Sequence, residues 1–318
     1  MSTVSAIIIV YNDAPFIARA IESVLNQTYE KIEIIVVDDG SEDNSLEIAK
    51  SFSNHGVQVF GKENGGAASA RNFGAKYATG EYFAFLDSDD VWMPEKIEKM
   101  VQVASSEAQD PILVYSGYYF VDESLRQVMR PFLAESTDPY REVLHCRNQM
   151  VPSTMIMHRR VFDALEGFPE DVQVRGYEDA VFTLLATRRF RSIAVRDPLT
   201  LYLYSDSGQG RAAVYDYKES VSRQKGVFIC VGKVLHQDEF KIFKNATWIN
   251  TFCKFAMYGQ LHSARRLKKE MCIKTGSLLC STRGMLALFS AYSRVNVLLW
   301  CKNVYQFLYS TFHCSMKI

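Results

Sequence analysis

Two short runs of acidic residues carry the strongest chemical signal in the sequence. They are Asp38-Asp39-Gly40-Ser41 and Asp87-Ser88-Asp89-Asp90, and each follows directly on an apolar run. Carboxylates crowded at one edge repel each other unless a positive charge lies between them. Hard oxygen ligands without a neighbouring His or Cys favour Mg²⁺ or Mn²⁺, which often share their coordination with substrate phosphates. Together the runs predict a site for a divalent cation and a phosphate-bearing ligand, although either run alone is also typical of a surface turn.

The apolar runs that precede the acidic clusters are typical of buried strands. Through the first hundred residues such runs alternate with segments of helical spacing, which predicts βαβ units and a mostly parallel sheet. The predicted strands are Ala6–Val10, Ile32–Val37, Val57–Phe60 and Tyr82–Leu86, and the predicted helices are Pro15–Gln27, Ser45–Phe52, Ala67–Ala78 and Pro94–Ala104. Ligands bind beyond the carboxyl ends of the strands in such a sheet. We therefore expect the ends of the second and fourth strands to converge on one pocket.

The pattern changes after residue 110. Further strands are predicted at Ile112–Val121, Met155–Met157 and Leu199–Tyr204, with a helix over Asp179–Arg189. From about Val214 the spacing of apolar residues is helical almost to the end.

Composition and charge narrow the class of protein. Of the 318 residues, 48% are hydrophobic, which is enough for a large core and excludes a disordered or collagen-like chain. The net charge is zero, but residues from 219 onward carry 15 Lys and Arg against 4 Asp and Glu, which leaves 21 basic and 32 acidic residues before them. This split disfavours a uniform nucleic-acid binder. Seven cysteines without a Cys-x-x-Cys pair indicate reduced thiols.

Six motifs that occur in order along the chain together resemble family 2 glycosyltransferases. They are Ile7–Asn12, Ala20–Thr28, Val36–Ser41, Asn64–Asn72, Gly80–Tyr82 and Phe85–Asp90. The resemblance covers roughly residues 3 to 205 and is densest before residue 100. It implies an α/β protein of the GT-A fold, with a Rossmann-like, mostly parallel sheet flanked by helices and followed here by a C-terminal helical region.

The resemblance also implies a division of the chain. Residues 1–210 would form the GT-A domain, with a nucleotide-sugar-binding half at 1–105 and an acceptor-binding half at 106–210. Residues 211–318 would form the basic helical C-terminal region. The boundary is expected between Ser207 and Tyr215, where Gly208 and Gly210 mark the change of pattern.

Residues of the nucleotide-binding half take their expected roles from the resemblance. Asp39 would accept a hydrogen bond from the nucleotide base, with Tyr11 stacking nearby, and Arg71 would face the nucleotide. Asp87 would lie near the ribose and the water shell of a Mn²⁺ or Mg²⁺ ion, and Asp89 would bind that ion directly. Two other interpretations stay open: Tyr11 as the last core residue of its strand, and Arg71 as a solvated helix charge.

The catalytic base is expected from Glu178-Asp179. This pair resembles the Glu-Asp pair of the family, whose Asp deprotonates the acceptor hydroxyl. An attacking hydroxyl loses its proton as the new bond forms, so a carboxylate within hydrogen-bond reach lowers the barrier. Asp179 is the first candidate and Glu178 the second, while a simple helix-capping role for Asp179 stays open.

The C-terminal region has no motif that identifies it. His262–Lys269 is basic and helical in pattern, and the aromatic-rich segments Met285–Phe289 and Val295–Trp300 follow. Helices with a basic face and aromatic anchors can lie in the headgroup layer of a membrane. We expect a cytoplasmic protein that contacts the anionic inner face of the cell membrane peripherally, with an ordinary helical bundle or an oligomer contact as the alternative. The apolar start of the chain predicts a first strand rather than a signal peptide.

The resemblance implies an inverting, metal-dependent glycosyltransferase that moves a single sugar from a nucleotide sugar, expected to be UDP-linked. The acceptor would be a hydroxyl of a glycan or a lipid-linked sugar, as in cell-surface polysaccharide synthesis. A catalytically silent nucleotide-sugar binder, a membrane scaffold and a sugar nucleotidyltransferase are the alternatives. A nucleotidyltransferase would need a basic, Gly-rich loop where this chain has Tyr11–Pro15, and neither a P-loop nor the Gln-x-x-Arg-Trp motif of processive synthases occurs.

Overall fold

The computed structural model describes residues 2–106, 111–146, 150–204 and 217–257, together with Arg266 and Glu270. The described residues form one eight-stranded sheet. Its strands are β1 (Val4–Val10), β2 (Ile32–Asp38), β3 (Val57–Gly61), β4 (Tyr82–Asp87), β5 (Val91–Trp92), β6 (Ile112–Val121), β7 (Met155–His158) and β8 (Arg191–Leu203). The helices of the described residues are α1 (Ile17–Leu25), α2 (Ser45–Lys50), α3 (Ala67–Tyr77), α4 (Lys96–Ser106), α5 (Pro139–Leu144), α6 (Arg159–Ala164), α7 (Glu178–Arg189), α8 (Tyr217–Gly232) and α9 (Gln237–Met257).

The sheet is mixed and mostly parallel. Its strand order is β3-β2-β1-β4-β7-β6-β8-β5. The first four strands of the chain are parallel, with β2 and β4 on either side of β1. β7 is antiparallel to both β4 and β6, whereas β6 and β8 are parallel. This arrangement confirms the predicted α/β class, and it shows that β1 separates the two strands that carry the acidic clusters.

The core lies on both faces of the sheet because the central strands are apolar on both faces. In β1, Ile7 and Ile9 face one cluster of buried residues, and Ala6, Ile8 and Val10 face the other. Continuous apolar strands of this kind are expected when helices cover both sides of a parallel sheet.

The described C-terminal helices pack on the same core. Val227 and Phe228 of α8 and Trp248 of α9 are buried in the cluster that contains Ile7. The predicted boundary between Ser207 and Tyr215 lies outside the described residues.

Most predicted elements match the structure closely, and the differences have local causes. β8 begins at Arg191 rather than Leu199, because its first half is partly exposed and contains Arg196 and Asp197, which do not form an apolar run. The helices α5 and α6 were not predicted, because six residues show little of a helical period; α2, which has the same length, was predicted as part of the longer segment Ser45–Phe52.

Among the helices of the described residues, none is long and apolar enough to cross a membrane. The segments 285–289 and 295–300 and all of 262–269 except Arg266 lie outside the described residues. Contact of the basic C-terminal region with a membrane therefore stays a prediction.

Candidate active site

The loops that follow β1 and β2 are bound to each other by short hydrogen bonds. The backbone amides of Asn12, Asp13 and Ala14 donate to side chains of the β2–α2 segment, at Ser41 Oγ (2.9 Å), Ser45 Oγ (2.9 Å) and Asp43 Oδ2 (3.0 Å). Asn12 has a φ of 51°, a left-handed conformation that Asn tolerates better than most residues. These bonds hold the two loops together on one side of the candidate site.

The two carboxylates of the first acidic cluster are held in different ways by groups of the protein. Asp38 Oδ1 accepts hydrogen bonds from the amides of Gly40 (3.1 Å) and Ser41 (3.0 Å), which forms a tight turn after β2. Asp39 is only 3% exposed, so its negative charge must be offset by groups of the protein rather than by solvent.

Lys62 and a glycine loop hold Asp39. Its Oδ1 accepts from Lys62 Nζ at 2.7 Å and from the Gly65 amide at 3.0 Å, and its Oδ2 accepts from the Gly66 amide at 2.7 Å. A cation and two N–H donors offset a buried carboxylate well. Lys62 thus supplies a positive charge to Asp39, and the binding of a divalent ion by Asp87 and Asp89 stays a prediction. The binding of a nucleotide base by Asp39 stays a prediction.

Arg71 connects the two halves of the site. It lies on α3 and is 3% exposed, which excludes a solvated helix charge. Its Nη2 lies 2.6 Å from Asp87 Oδ1, and its Nη1 lies 3.8 Å from Glu178 Oε1. The buried Nε and Nη1 atoms have no hydrogen-bond partner among the described residues. Because a buried guanidinium is stabilised by oxygen acceptors, these two donors fit an anionic ligand such as a diphosphate.

Four hydrogen bonds to other parts of the chain hold the loop that contains Asp87, Asp89 and Asp90. Its hydrogen bonds are Asp87 N to Ser153 Oγ (3.1 Å), Ser88 Oγ to Asp13 Oδ2 (2.5 Å), Arg19 Nη2 to Asp89 O (3.1 Å) and Leu203 N to Asp90 Oδ1 (3.1 Å). The loop is therefore fixed before any ligand binds, which reduces the cost of binding one.

The residues present fit a divalent ion only if a ligand completes its coordination. Among the described residues, no group of three or more His, Cys, Asp or Glu side chains is arranged to hold a metal. Asp87 and Asp89 offer carboxylate oxygens, and both side chains are half-buried. Mg²⁺ commonly binds through one or two carboxylates together with substrate phosphates and water. This donor set matches that pattern, and the two roles stay predictions.

Asp90 is unlike its neighbours in the loop. It is 1% exposed, and its Oδ2 has no hydrogen-bond partner among the described residues. Burial raises its pKa well above the usual value, and the charges of Asp89 and Asp87 raise it further. Lys96 lies close enough for its pKa to respond to this carboxyl group. That pKa is lowered to about 7, mainly by complete burial, with Asp90 acting in the opposite direction.

Glu178 and Asp179 begin α7 and have different surroundings. Glu178 is 8% exposed, and its Oε2 accepts from the Gly176 amide at 2.5 Å while Oε1 faces Arg71. Asp179 Oδ1 accepts from the Ala180 amide at 2.7 Å, so this side chain also serves the helix start. Burial raises the pKa of Asp179 to about 6, with the charges of Glu178 and Asp87 adding to the rise and Arg71 opposing it.

Tyr202 belongs to the site and was not selected from the sequence. It lies on β8, where its ring packs against Tyr118 and Phe120 with centroids 5.4 and 6.1 Å away. Burial raises the pKa of its hydroxyl, and the charges of Asp90, Asp89, Asp87 and Asp179 raise it further. The phenol therefore lies in the field of all four carboxylates. Its residue type did not mark it as a site residue, because a single Tyr in an apolar strand is typical of a core residue.

Tyr11 lies just beyond β1 and is 37% exposed, so it is not the last core residue of that strand. The structure thus brings Asp87, Arg71, Glu178 and Asp179 together, and it places Asp39 beyond β1 at the neighbouring strand end. Stacking of Tyr11 on a base stays a prediction.

Comparison with known proteins identifies relatives of this chain by sequence and by fold. The sequence model of the family described as "Glycosyl transferase family 2" matches residues 5–165, which is just over half of the chain. A curated relative from Rickettsia felis, described as an uncharacterized glycosyltransferase, is 45% identical over 130 residues. That match covers 39% of this chain and 21% of the relative, so the chain spans about a fifth of that protein's length.

Two solved structures share the fold. S. aureus TarS 1–349, in complex with UDP-GlcNAc, aligns with a TM-score of 0.60 at 20% identity, over 82% of this chain and 77% of that chain. The mannosyltransferase PcManGT from Pyrobaculum calidifontis, in complex with GDP-Man and Mn²⁺, aligns with a TM-score of 0.56 at 19% identity, over 95% of this chain and 85% of that chain. These likenesses confirm the GT-A-like architecture, with its C-terminal helices.

Proposed function

Because this chain belongs to glycosyl transferase family 2, we propose that it transfers a single sugar from a nucleotide sugar to an acceptor hydroxyl with inversion at the anomeric carbon. The observation that carries the proposal is the ion-pair chain from Asp87 through Arg71 to Glu178. It joins the end of β4 to the start of α7, so that the candidate metal and diphosphate residues and the candidate base are connected through Arg71.

The proposed ligand of Arg71 and of the loop 87–90 is the diphosphate of the donor. The Nε and Nη1 donors of Arg71, which have no hydrogen-bond partner among the described residues, would bind phosphate oxygens, and Asp89, with Asp87 beside it, would hold Mn²⁺ or Mg²⁺. A divalent ion bound there would offset the negative charge that the nucleoside diphosphate gains as it leaves. The nucleotide itself would lie along Asp39 and Tyr11.

Asp179 is the proposed catalytic base. Glu178 is occupied by the Gly176 amide and by Arg71, whereas Asp179 forms no ion pair within 4.0 Å among the described residues. A base works best when its pKa lies near the working pH, and a pKa of about 6 meets that condition better than an ordinary aspartate does. In a single displacement, Asp179 would accept the proton of the acceptor hydroxyl from the face opposite the leaving group.

The donor is proposed to be UDP-linked and the acceptor a glycan or a lipid-linked sugar. The UDP-GlcNAc bound to TarS supports the choice of uridine, while the GDP-Man bound to PcManGT makes guanosine the competing base. The whole chain, including its C-terminal region, is proposed to act on these substrates.

The test is a transfer assay with a panel of UDP-sugars and GDP-mannose, with glycan and lipid-extract acceptors and with Mn²⁺ or Mg²⁺. Nucleotide release and labelled product are measured for the wild type, Asp89→Asn and Asp179→Asn. We expect each variant to lose at least about 100-fold in kcat, because general-base and charge-stabilising groups each contribute about that much or more.

Asp197→Asn is the matched control. Asp197 is an exposed carboxylate on β8, and it pairs with Lys99 rather than with a residue of the candidate site. It should retain wild-type turnover. Near-normal turnover by Asp179→Asn would remove Asp179 as the base, and absence of transfer from every donor by the wild type would contradict the proposed function.

A further inference from the structure

Helix α8 lies in direct contact with the loop that precedes α7. At Gly226, an added Cβ would lie 2.4 Å from the carbonyl oxygen of Gln173 and 2.6 Å from its Cβ. Only a glycine permits so close an approach of a helix to a backbone, and Val174 beside it is fully buried. Neither α8 nor this loop is within residues 5–165, which the family model matches.

Arg223, one turn before Gly226 on α8, covers the end of the same loop. Its Nη1 donates to the carbonyl oxygen of Arg175 at 2.9 Å, and its Nη2 pairs with Glu219 on the same helix. Gly176 has a φ of +83°, and a Cβ there would lie 2.8 Å from Arg223 Nη1. The guanidinium therefore lies over Arg175 and Gly176, the residues that lead into α7.

The covered loop is linked to the candidate active site. The Gly176 amide donates to Glu178 Oε2, and Glu178 Oε1 faces Arg71, which pairs with Asp87. On the other side, Arg175 Nη2 donates to Asn64 Oδ1 at 3.1 Å, next to the glycine loop that holds Asp39. A continuous series of contacts thus runs from α8 to both acidic clusters.

We propose that Arg223 of α8 is a positioning residue for the transfer reaction: it fixes Arg175 and Gly176, so that the Gly176 amide holds Glu178 and orients the start of α7. This inference rests on the proposed function. It makes the C-terminal region a working part of the active site, because the segment that carries the candidate base is held by a helix outside the matched family region.

The test compares Arg223→Ala and Arg223→Lys with wild type in two measurements. In the transfer assay we expect Arg223→Ala to lower kcat about 10-fold, the loss of one charged hydrogen bond, and to leave the KM for the donor within about twofold. Arg223→Lys should recover part of the loss, because an ammonium can still donate to the Arg175 carbonyl. Lys99→Ala is the control, since Lys99 is an equally exposed cation with an i,i+4 carboxylate partner.

The second measurement is amide hydrogen exchange of residues 172–179, which needs no substrate. We expect faster exchange there in Arg223→Ala, with an unchanged melting temperature, and no change in Lys99→Ala. Gly226→Ala should produce the same local change through a different contact, because its Cβ would push α8 away from Gln173.

Unchanged exchange in this segment would overturn the proposal, and so would faster exchange with an unchanged kcat. A kcat loss that Arg223→Lys does not reduce would also count against it. If the wild type transfers no sugar, the proposed function fails, while the exchange data still decide whether Arg223 holds the loop.

Discussion

At the scale of single residues, Glu178 and Asp179 are neighbours in sequence that differ in how they are held. The Glu178 carboxylate accepts from the Gly176 amide and faces the cation of Arg71. Asp179 accepts from the next amide of its own helix, and burial, with the nearby charges of Glu178 and Asp87, raises its pKa to about 6. Like charges and burial both disfavour an ionised acid, which is why we propose the second carboxyl of the pair as the base.

We predict that the proposed transfer loses activity as the pH falls through about 6. The base must be ionised to accept a proton, and the raised pKa of Asp179 puts its protonation near pH 6 rather than near 4. The measurement is the pH profile of kcat/KM, which reports the free enzyme. An acid limb near pH 4 would contradict the assignment, and Asp197→Asn should leave the limb where it is in wild type.

At the scale of elements, helix α3 brings Arg71 to the site because it lies unusually close to the sheet. A Cβ at Gly74 would lie 2.5 Å from Ile7 Cγ2 and 3.1 Å from Val37 Cγ2. Gly74 lies one turn after Arg71, so its contact with β1 and β2 determines how deeply the guanidinium of Arg71 is buried. The glycine is needed here for a close approach rather than for an unusual backbone angle.

Gly74→Ala should therefore lower both stability and activity. Overpacking of a core costs about 1–3 kcal/mol in the free energy of unfolding, and the shift of α3 would lengthen the Arg71–Asp87 ion pair. Chemical denaturation and the transfer assay measure the two effects. Lys76→Ala, on the exposed face of the same helix, should change neither, and a fully stable, fully active Gly74→Ala would show that the helix has room to adapt.

At the scale of the whole molecule, the site is assembled from parts that are far apart along the chain. Arg175 reaches Asn64 across 111 residues, and Leu203 binds Asp90 across 113. A ligand that occupies such a site binds only the folded state and so stabilises the entire protein.

We predict that UDP and Mn²⁺ together raise the melting temperature more than either does alone. At a ligand concentration 100 times Kd the stabilisation is about 2.7 kcal/mol, which is a shift of several degrees. A thermal-shift panel of nucleoside diphosphates, with and without Mn²⁺, measures this. Asp89→Asn should lose the increment that depends on the metal and Asp197→Asn should keep it, while an equal UDP shift in EDTA would contradict the metal role.

The sequence by itself was sufficient for the family, for six of the eight strands of the described residues and for their helices other than α5 and α6. Runs such as Ala6–Val10 and acidic turns such as Asp87–Asp90 are local signals, because the apolar period and the turn residues lie next to each other in the chain. The first half of β8 is polar and lacks such a local apolar pattern, so the sequence did not predict it as a strand.

Only the tertiary structure decided which side chains meet. It paired Lys62 with Asp39, so that this buried carboxylate has a cation within the protein, and it placed Arg71 between Asp87 and Glu178. It also brought Tyr202 among the carboxylates and Arg223 over the loop before α7. Contacts of this kind depend on strand order and on how closely helices approach the sheet, and no short stretch of sequence encodes either one.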